Sequence, residues 1–315
     1  MNMATIYMND LIDVKRFVTE NYSIPSILHI FRDTIGSGDN YIIQTVSHSY
    51  FLKLFSVNNK KYRIYDEIRV CQFLNATEPI TSEFIINNSG TYITYFKNTI
   101  YGHLQLLFES DSWTQFNVSD ENIKKGILFL GKIDKTLLNF NLPVNNLFLN
   151  IHQDYELSKK VIGFQKFSCD KDSSQLIDKR KTYLSDIPNL QLSRFTYLTS
   201  HADYTPMQLL IRNDDIYKVI DFSHVSTVPI VWEVVRYYSN CVLAKDFNMN
   251  DIYALLDIFS TIIPLSSYDY QNAGYLFALQ ILQSAYGFKE YAATKESRYL
   301  DVIQNRDLYL QTLLN

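Results

Sequence analysis

The spacing of apolar positions changes part-way along the chain. In the first part, "YIIQTV" and "YFLKLFSV" are bounded by the turn-forming clusters "GSGDN" and "SHS" and predict neighbouring antiparallel strands joined as a hairpin. The next segment, "RIYDEIRVCQFL", places Ile64, Ile68, Cys71 and Leu74 at helical spacing. An extended run, "TYITYFKNTIYGHL", then changes character at Lys97 and Asn98, which marks a boundary. Beyond it "KKGILFLGKIDKTLLNF", "NDIYALLDIFSTII", "NAGYLFALQILQSAYGF" and "RYLDVIQNRDLYLQTLL" all have helical periodicity. The pattern predicts a β-rich part with one main helix over 1–97 and a mainly helical part over 98–315. Within the second, 168–190 reads as a loop whose mixed charges mark a solvated surface.

Composition sharpens this only in places. A chain of 315 residues, 47% of them apolar, buries a sizeable core and has room for two domains. The 24 tyrosines and 20 phenylalanines are read chiefly as core filling. The first 97 residues hold 9 Lys and Arg against 9 Asp and Glu, so the net charge of −4 lies wholly in the remainder. No basic patch interleaved with aromatics points to nucleic acid. Asp10 and Asp13 interrupt the N-terminal stretch where a secretion signal needs an unbroken apolar run, and later apolar segments are too short to cross a bilayer, so no membrane partner is expected. Cys71, Cys169 and Cys241 lack the spacing of a zinc site or disulfide framework and read as free thiols in a reducing cytoplasm. His152 and Asp154, like His201 and Asp203, stand two apart, but no third ligand is recognisable and structural roles are expected.

Three places carry chemistry. The period of two in "YFLKLFSV" puts Phe51, Lys53 and Phe55 on one face and Tyr50, Leu52 and Leu54 on the other. A lysine between apolar neighbours either snorkels to solvent from an edge strand or meets a partner. Glu67 borders the apolar stripe of the following helix and can supply that partner, or remain an ordinary exposed residue. In "DDIYKVIDFS" an apolar strand ends at Asp221, a costly place for a carboxylate unless a cation or hydrogen bonds compensate it. In "HADYTPMQLLI", Asp203 stands in a loop and Gln208 follows five residues later. One carboxylate can orient a hydroxyl and accept its proton, while a side-chain carbonyl and a second carboxylate hold Mg2+ on nucleotide phosphates.

In this order, Lys53, Glu67, "HADYTPMQ" and "VIDFS" resemble the aminoglycoside phosphotransferase and choline kinase-like superfamily, over roughly residues 28–240. The family pattern is H-G-D, four variable residues and N, followed by a strand ending I-D-[WF]. His201, Asp203, Pro206, Ile220, Asp221 and Phe222 match it, "LGKID" resembles a helix motif of the family, and Pro229 and Glu233 fit the segment that packs the larger lobe. Ala202 stands where the family has glycine, and Gln208 where it has the metal-binding asparagine.

The resemblance implies a two-lobed, protein-kinase-like α+β fold that uses ATP, or another nucleoside triphosphate, with Mg2+ to phosphorylate a hydroxyl group of a small molecule. It implies Asp203 as catalytic base with His201 bracing its loop, Asp221 and Gln208 as metal ligands, and Lys53 as phosphate-binding cation with Glu67 as its partner. Ser37 and Gly38 would cover the phosphates, Tyr95, Phe96 and Lys97 would receive adenine, and Phe51 would roof it, unless Phe51 is a core residue. The alternative is a degenerate kinase fold that binds nucleotide or partners with little turnover, which the Gln208 departure favours.

Overall fold

The computed structural model describes residues 11–33, 39–56, 62–96, 100–144 and 161–314. The chain forms two compact units, Met1–Asp111 with Leu210–His224, and Ser112–Leu209 with Val225–Asn315.

The first unit is built on an antiparallel sheet. Its strands β1 (Ile27–Asp33), β2 (Asp39–Thr45), β3 (Ser49–Ser56), β6 (Ile100–Leu106) and β4 (Phe84–Ile85) lie in that spatial order, with β5 (Thr94–Phe96) also pairing β6. The hairpin expected from the two apolar runs is β2–β3, with Lys53 opposite Asn40 on one side and His103 of β6 on the other. Both sheet faces are covered, each by a helix. On one, α1 (Leu11–Asn21) packs Val14, Phe17 and Val18 with Tyr41, Tyr50, Leu52 and Leu54. On the other, α2 (Tyr62–Thr77) packs Ile64 and Ile68 with Tyr101, Phe55 and Phe84. The strand period therefore sends Leu52 and Leu54 to one core and Lys53 to the helix carrying Glu67. The pattern predicts one main helix in this part; α1 is a second, with Val14, Phe17 and Val18 on one buried helical face.

The unit's limits differ from a cut after residue 97. Strand β6 completes the sheet by pairing β3 along its length, and Leu210–His224 returns to the same unit. That return is held by main-chain bonds from Ile211 N to Asp111 O (2.9 Å) and from Val219 N to Ile80 O (2.8 Å). The buried Lys218 ammonium also donates to Pro79 O at 2.8 Å and Thr81 O at 3.2 Å. Strands β8 (Leu209–Arg212) and β9 (Asp215–Val219) pair across Asn213 and Asp214, both with positive φ, as a two-residue hairpin turn requires.

The second unit is mainly helical. It contains α3 (Asp120–Leu137), helices over Lys171–Thr182, Ile230–Cys241, Met249–Ser260, Ser267–Gln283, Tyr286–Thr294 and Arg298–Leu314, and the short antiparallel pair β7 (Tyr197–Ser200) and β10 (Ser226–Pro229). The stretch read as a solvated loop over 168–190 contains the Lys171–Thr182 helix, started by a reciprocal Asp170/Ser173 cap. Its Arg180 is fully buried and donates from Nε and Nη2 to Asp307 Oδ1 at 3.2 and 2.9 Å, so one of the charges in that stretch is a core ion pair. Among the described residues no helix is long and apolar enough to cross a membrane.

Candidate functional site

Lys53, Glu67 and Asp221 converge within the first unit. Lys53 Nζ lies 3.4 Å from Glu67 Oε1 and 2.6 Å from Asp221 Oδ1. Burial opposes the ammonium charge, but attraction first from Glu67 and then from Asp221 outweighs it and raises the lysine pKa. Glu67 is fully buried, and desolvation raises its pKa against the opposing pull of Lys53. His103 Nε2 stands 3.8 Å from Glu67 Oε2, and burial, reinforced by Lys53, holds its imidazole neutral well below the usual range.

Asp221 differs from its two companions in being accessible, with 39% of its side chain exposed. It sits two residues past the end of β9 at φ +67°, in the left-handed region, and the turn Phe222–His224 follows with Phe222 buried. The chain thus bends sharply after the strand and turns the carboxylate onto Lys53. Two carboxylates on one ammonium leave net negative charge, and an accessible carboxylate oxygen is a hard donor suited to Mg2+. Among the described residues no three His, Cys, Asp or Glu side chains group as metal ligands. An ion that takes one or two carboxylates and completes its shell with phosphate oxygens and water needs no such group.

The second unit holds the loop after β7. His201 is fully buried, and its Nδ1 accepts from Asp203 N at 3.3 Å, bracing the turn. Tyr204 N donates to Glu233 Oε1 at 3.1 Å, and the Tyr204 hydroxyl donates to Gly126 O at 2.8 Å. Glycine is required at 126, since a Cβ there would stand 1.9 Å from the Tyr237 hydroxyl oxygen. The Asp203 carboxylate, 26% exposed, accepts through Oδ1 from Arg236 Nη2.

Two departures from the family pattern acquire structural meaning. Ala202 has φ +60°, the conformation glycine adopts freely, so the replacement strains the loop by about 1 kcal/mol. Gln208 closes the turn Pro206–Gln208, where its Oε1 accepts from Thr205 N at 3.0 Å and Thr205 Oγ1 at 3.2 Å. Its carbonyl oxygen is thereby engaged in a capping box.

Of the residues expected to contact nucleotide, Phe51 is half-buried on the Lys53 face, opposite Gln105. Tyr95 is 47% exposed with its ring 6.2 Å from that of Tyr101, and Phe96 ends β5. Ser37, Gly38 and Lys97, with His152 and Asp154, lie outside the described residues. The three cysteines are unpaired, and burial raises the Cys71 and Cys241 thiol pKa values, the latter to about 12.

Sequence reasoning missed Arg236 and Asp134. Arg236 stands one helical turn after Glu233, a spacing that signalled a shared helix face, but nothing in the chain order pointed it at Asp203. Asp134, in "LGKID", is fully buried on α3 close to Glu233. Desolvation and then the Glu233 charge raise its pKa well above the carboxylate range, while desolvation raises that of Glu233 to about 7. Both acids of this buried pair therefore hold their protons to higher pH than free carboxylates do.

Comparison with solved structures agrees with this architecture. The chain is similar to amicoumacin kinase hAmiN, solved with AMP-PNP, Ca2+ and amicoumacin, at TM-score 0.65 and 10% identity, covering 95% of this chain and 94% of that one. It is similar to spectinomycin phosphotransferase APH(9)-Ia, solved with ADP and spectinomycin, at TM-score 0.62 and 12% identity, covering 95% and 93%. The choline kinase LicA from Streptococcus pneumoniae gives TM-score 0.59 and 12% identity, covering 95% and 98%. The fold is that of the aminoglycoside phosphotransferase and choline kinase-like proteins. By sequence, no family description and no curated protein matches the chain.

Proposed function

We propose that the chain is an ATP- and Mg2+-dependent phosphotransferase acting on a hydroxyl group of a small molecule. The observation that carries this reading is the Lys53 ammonium held by buried Glu67 and accessible Asp221. This constellation joins a phosphate-binding cation to a candidate metal carboxylate, in a fold shared with small-molecule kinases.

Lys53 is positioned by Glu67 and neutralises phosphate oxygens. Asp221 would hold Mg2+, which when bound neutralises charge developing on the phosphates. Gln208 would add its carbonyl once it leaves the Thr205 cap. Phe51, Tyr95, Phe96 and Lys97 would take the base, with Ser37 and Gly38 over the phosphates. Asp203, with one oxygen on Arg236, orients the acceptor hydroxyl and accepts its proton as the acceptor oxygen bonds to the γ-phosphorus and the bond to the leaving nucleoside diphosphate breaks. The free cysteines suit a reducing cytoplasm.

The test is Mg2+-dependent ATP turnover across hydroxyl acceptors. Asp203→Asn should lower turnover by orders of magnitude while sparing nucleotide affinity, and Asp221→Ala should weaken Mg2+-dependent nucleotide binding. Near-normal turnover in the first, or equal MgATP affinity in the second, removes that residue from its role. A second reading, nucleotide binding with little turnover, is favoured by the engagement of Gln208 with Thr205. Tight MgADP binding with no turnover across an untargeted metabolite mixture would select it.

A further inference from the structure

Lys218 stands on β9 three residues before Asp221, and its side chain is only 7% exposed. Its ammonium donates to Pro79 O at 2.8 Å, Thr81 O at 3.2 Å and Glu83 Oε1 at 3.3 Å, and lies 4.3 Å from the Phe108 ring centroid. An ammonium has three N–H donors, so all of them are spent on one short segment, Pro79–Glu83. The next residue of β9 binds the same segment through its main chain, Val219 N donating to Ile80 O at 2.8 Å.

Pro79–Glu83 is tied to α2 as well. Asn75 Oδ1 accepts from Thr81 N at 3.0 Å, Asn75 Nδ2 donates to Ser82 O at 2.9 Å, and Cys71 Sγ lies 3.4 Å from Thr81 Oγ1. Glu67, Cys71 and Asn75 follow one another at intervals of four and share a face of α2. The two carboxylates that meet Lys53 therefore hang from one segment, Glu67 through α2 and Asp221 through β9, all within the first unit. A buried ammonium is a costly way to fill space, and an apolar side chain would pack there while letting β9 slide. Three directional donors admit one register, and losing them leaves the Pro79 and Thr81 carbonyls without that partner. Register matters at Asp221, because Mg2+ accepts oxygen ligands only at about 2.1 Å in near-ideal octahedral geometry.

We propose that Lys218 is a positioning residue for phosphoryl transfer, which through Pro79–Glu83 fixes the Asp221 carboxylate where it meets Lys53 and takes the metal. This rests on the phosphotransferase reading for the metal; the fixing of Asp221 does not.

Two measurements on Lys218→Met in the full chain test it. The first is ATP affinity with and without Mg2+, by calorimetry. The gain in affinity that Mg2+ brings should fall by about tenfold, metal-free affinity should hold, and Lys218→Arg should restore part of the gain. An unchanged gain overturns the proposal, and so does an equal fall with and without metal, which a general loss of structure would produce. The second is amide hydrogen exchange read by peptide, which should quicken over Val219–His224 and stay as in the parent across the second unit. Unchanged exchange over Val219–His224 overturns the proposal equally. Should Lys218→Met fail to fold, Glu83→Gln takes its place in both measurements, since the Glu83 side chain is 47% exposed. It keeps an acceptor but not the charge, and should lower the Mg2+ gain by about threefold; no change overturns the proposal. A parent chain without any Mg2+ gain would sink the kinase reading, and the exchange over Val219–His224 would then decide alone whether Lys218 fixes Asp221.

Discussion

The two units each bury a glutamate and surround it oppositely. Glu67 meets an ammonium at 3.4 Å, whereas Glu233 lies near a second buried acid, Asp134, and accepts a main-chain N–H from Tyr204. Burial raises the pKa of both; at Glu67 the Lys53 charge is the main opposing pull, whereas at Glu233 burial prevails over hydrogen bonds from Ser200 and Tyr204 and the Arg236 charge. The first arrangement suits a fixed electrostatic clamp on anions. The second suits an anchor for a loop, made through the Tyr204 N–H.

The largest expected effect comes from removing the partner that separates the two cases. Lys53→Met leaves Glu67 buried without its cation and should cost about 3 kcal/mol in urea unfolding at neutral pH. Glu67 then takes up a proton instead, so the loss should be smaller at pH 5 and grow toward pH 8. A variant as stable as the parent at pH 8 would break the comparison.

The acid pair should give the opposite experiment, a pH dependence already present in the parent chain. The Glu233 pKa rises from 4.5 to about 7 on folding, and that of Asp134 also rises. The folded chain therefore holds protons that the unfolded chain releases. The resulting stability is fully present below about pH 4 and is lost as pH rises through about 7, amounting to about 3 kcal/mol for Glu233. Asp134→Asn should flatten this profile. An unchanged slope between pH 5 and 8 would detach Asp134 from Glu233.

Smaller effects sharpen the picture of the loop that Glu233 anchors. Ala202→Gly should relieve the strain at φ +60° and stabilise by about 1 kcal/mol, seen as a rise in thermal midpoint. A fall would mean that the loop is not left-handed there. Gln208→Asn shortens the side chain that closes the Thr205 cap and should cost about 0.5 kcal/mol. Any gain in Mg2+-dependent nucleotide affinity from the same change would show that asparagine serves the metal better than the capped glutamine.

What the sequence alone could determine was local or ordered along the chain. The period of two that sends Lys53 to one strand face, the helical stripe bordered by Glu67, and the succession "HAD", Gln208, "IDF" were all legible, because periodicity and motif spacing are properties of short segments. They were enough to anticipate the α+β architecture and the meeting of Lys53 with Glu67. Chain order could not bring Asp221, 168 residues away, onto Lys53; that required Leu210–His224 to return to the first unit. Nor could it turn a charged stretch into a helix whose Arg180 pairs with Asp307, aim Arg236 at Asp203, or set Asp134 against Glu233. Each of these depends on which distant group shares a desolvated space, and the energy of a charge is decided by that neighbour and by exclusion of water. The sign of φ at residue 202 likewise belongs to the packed loop, since alanine alone would not choose it.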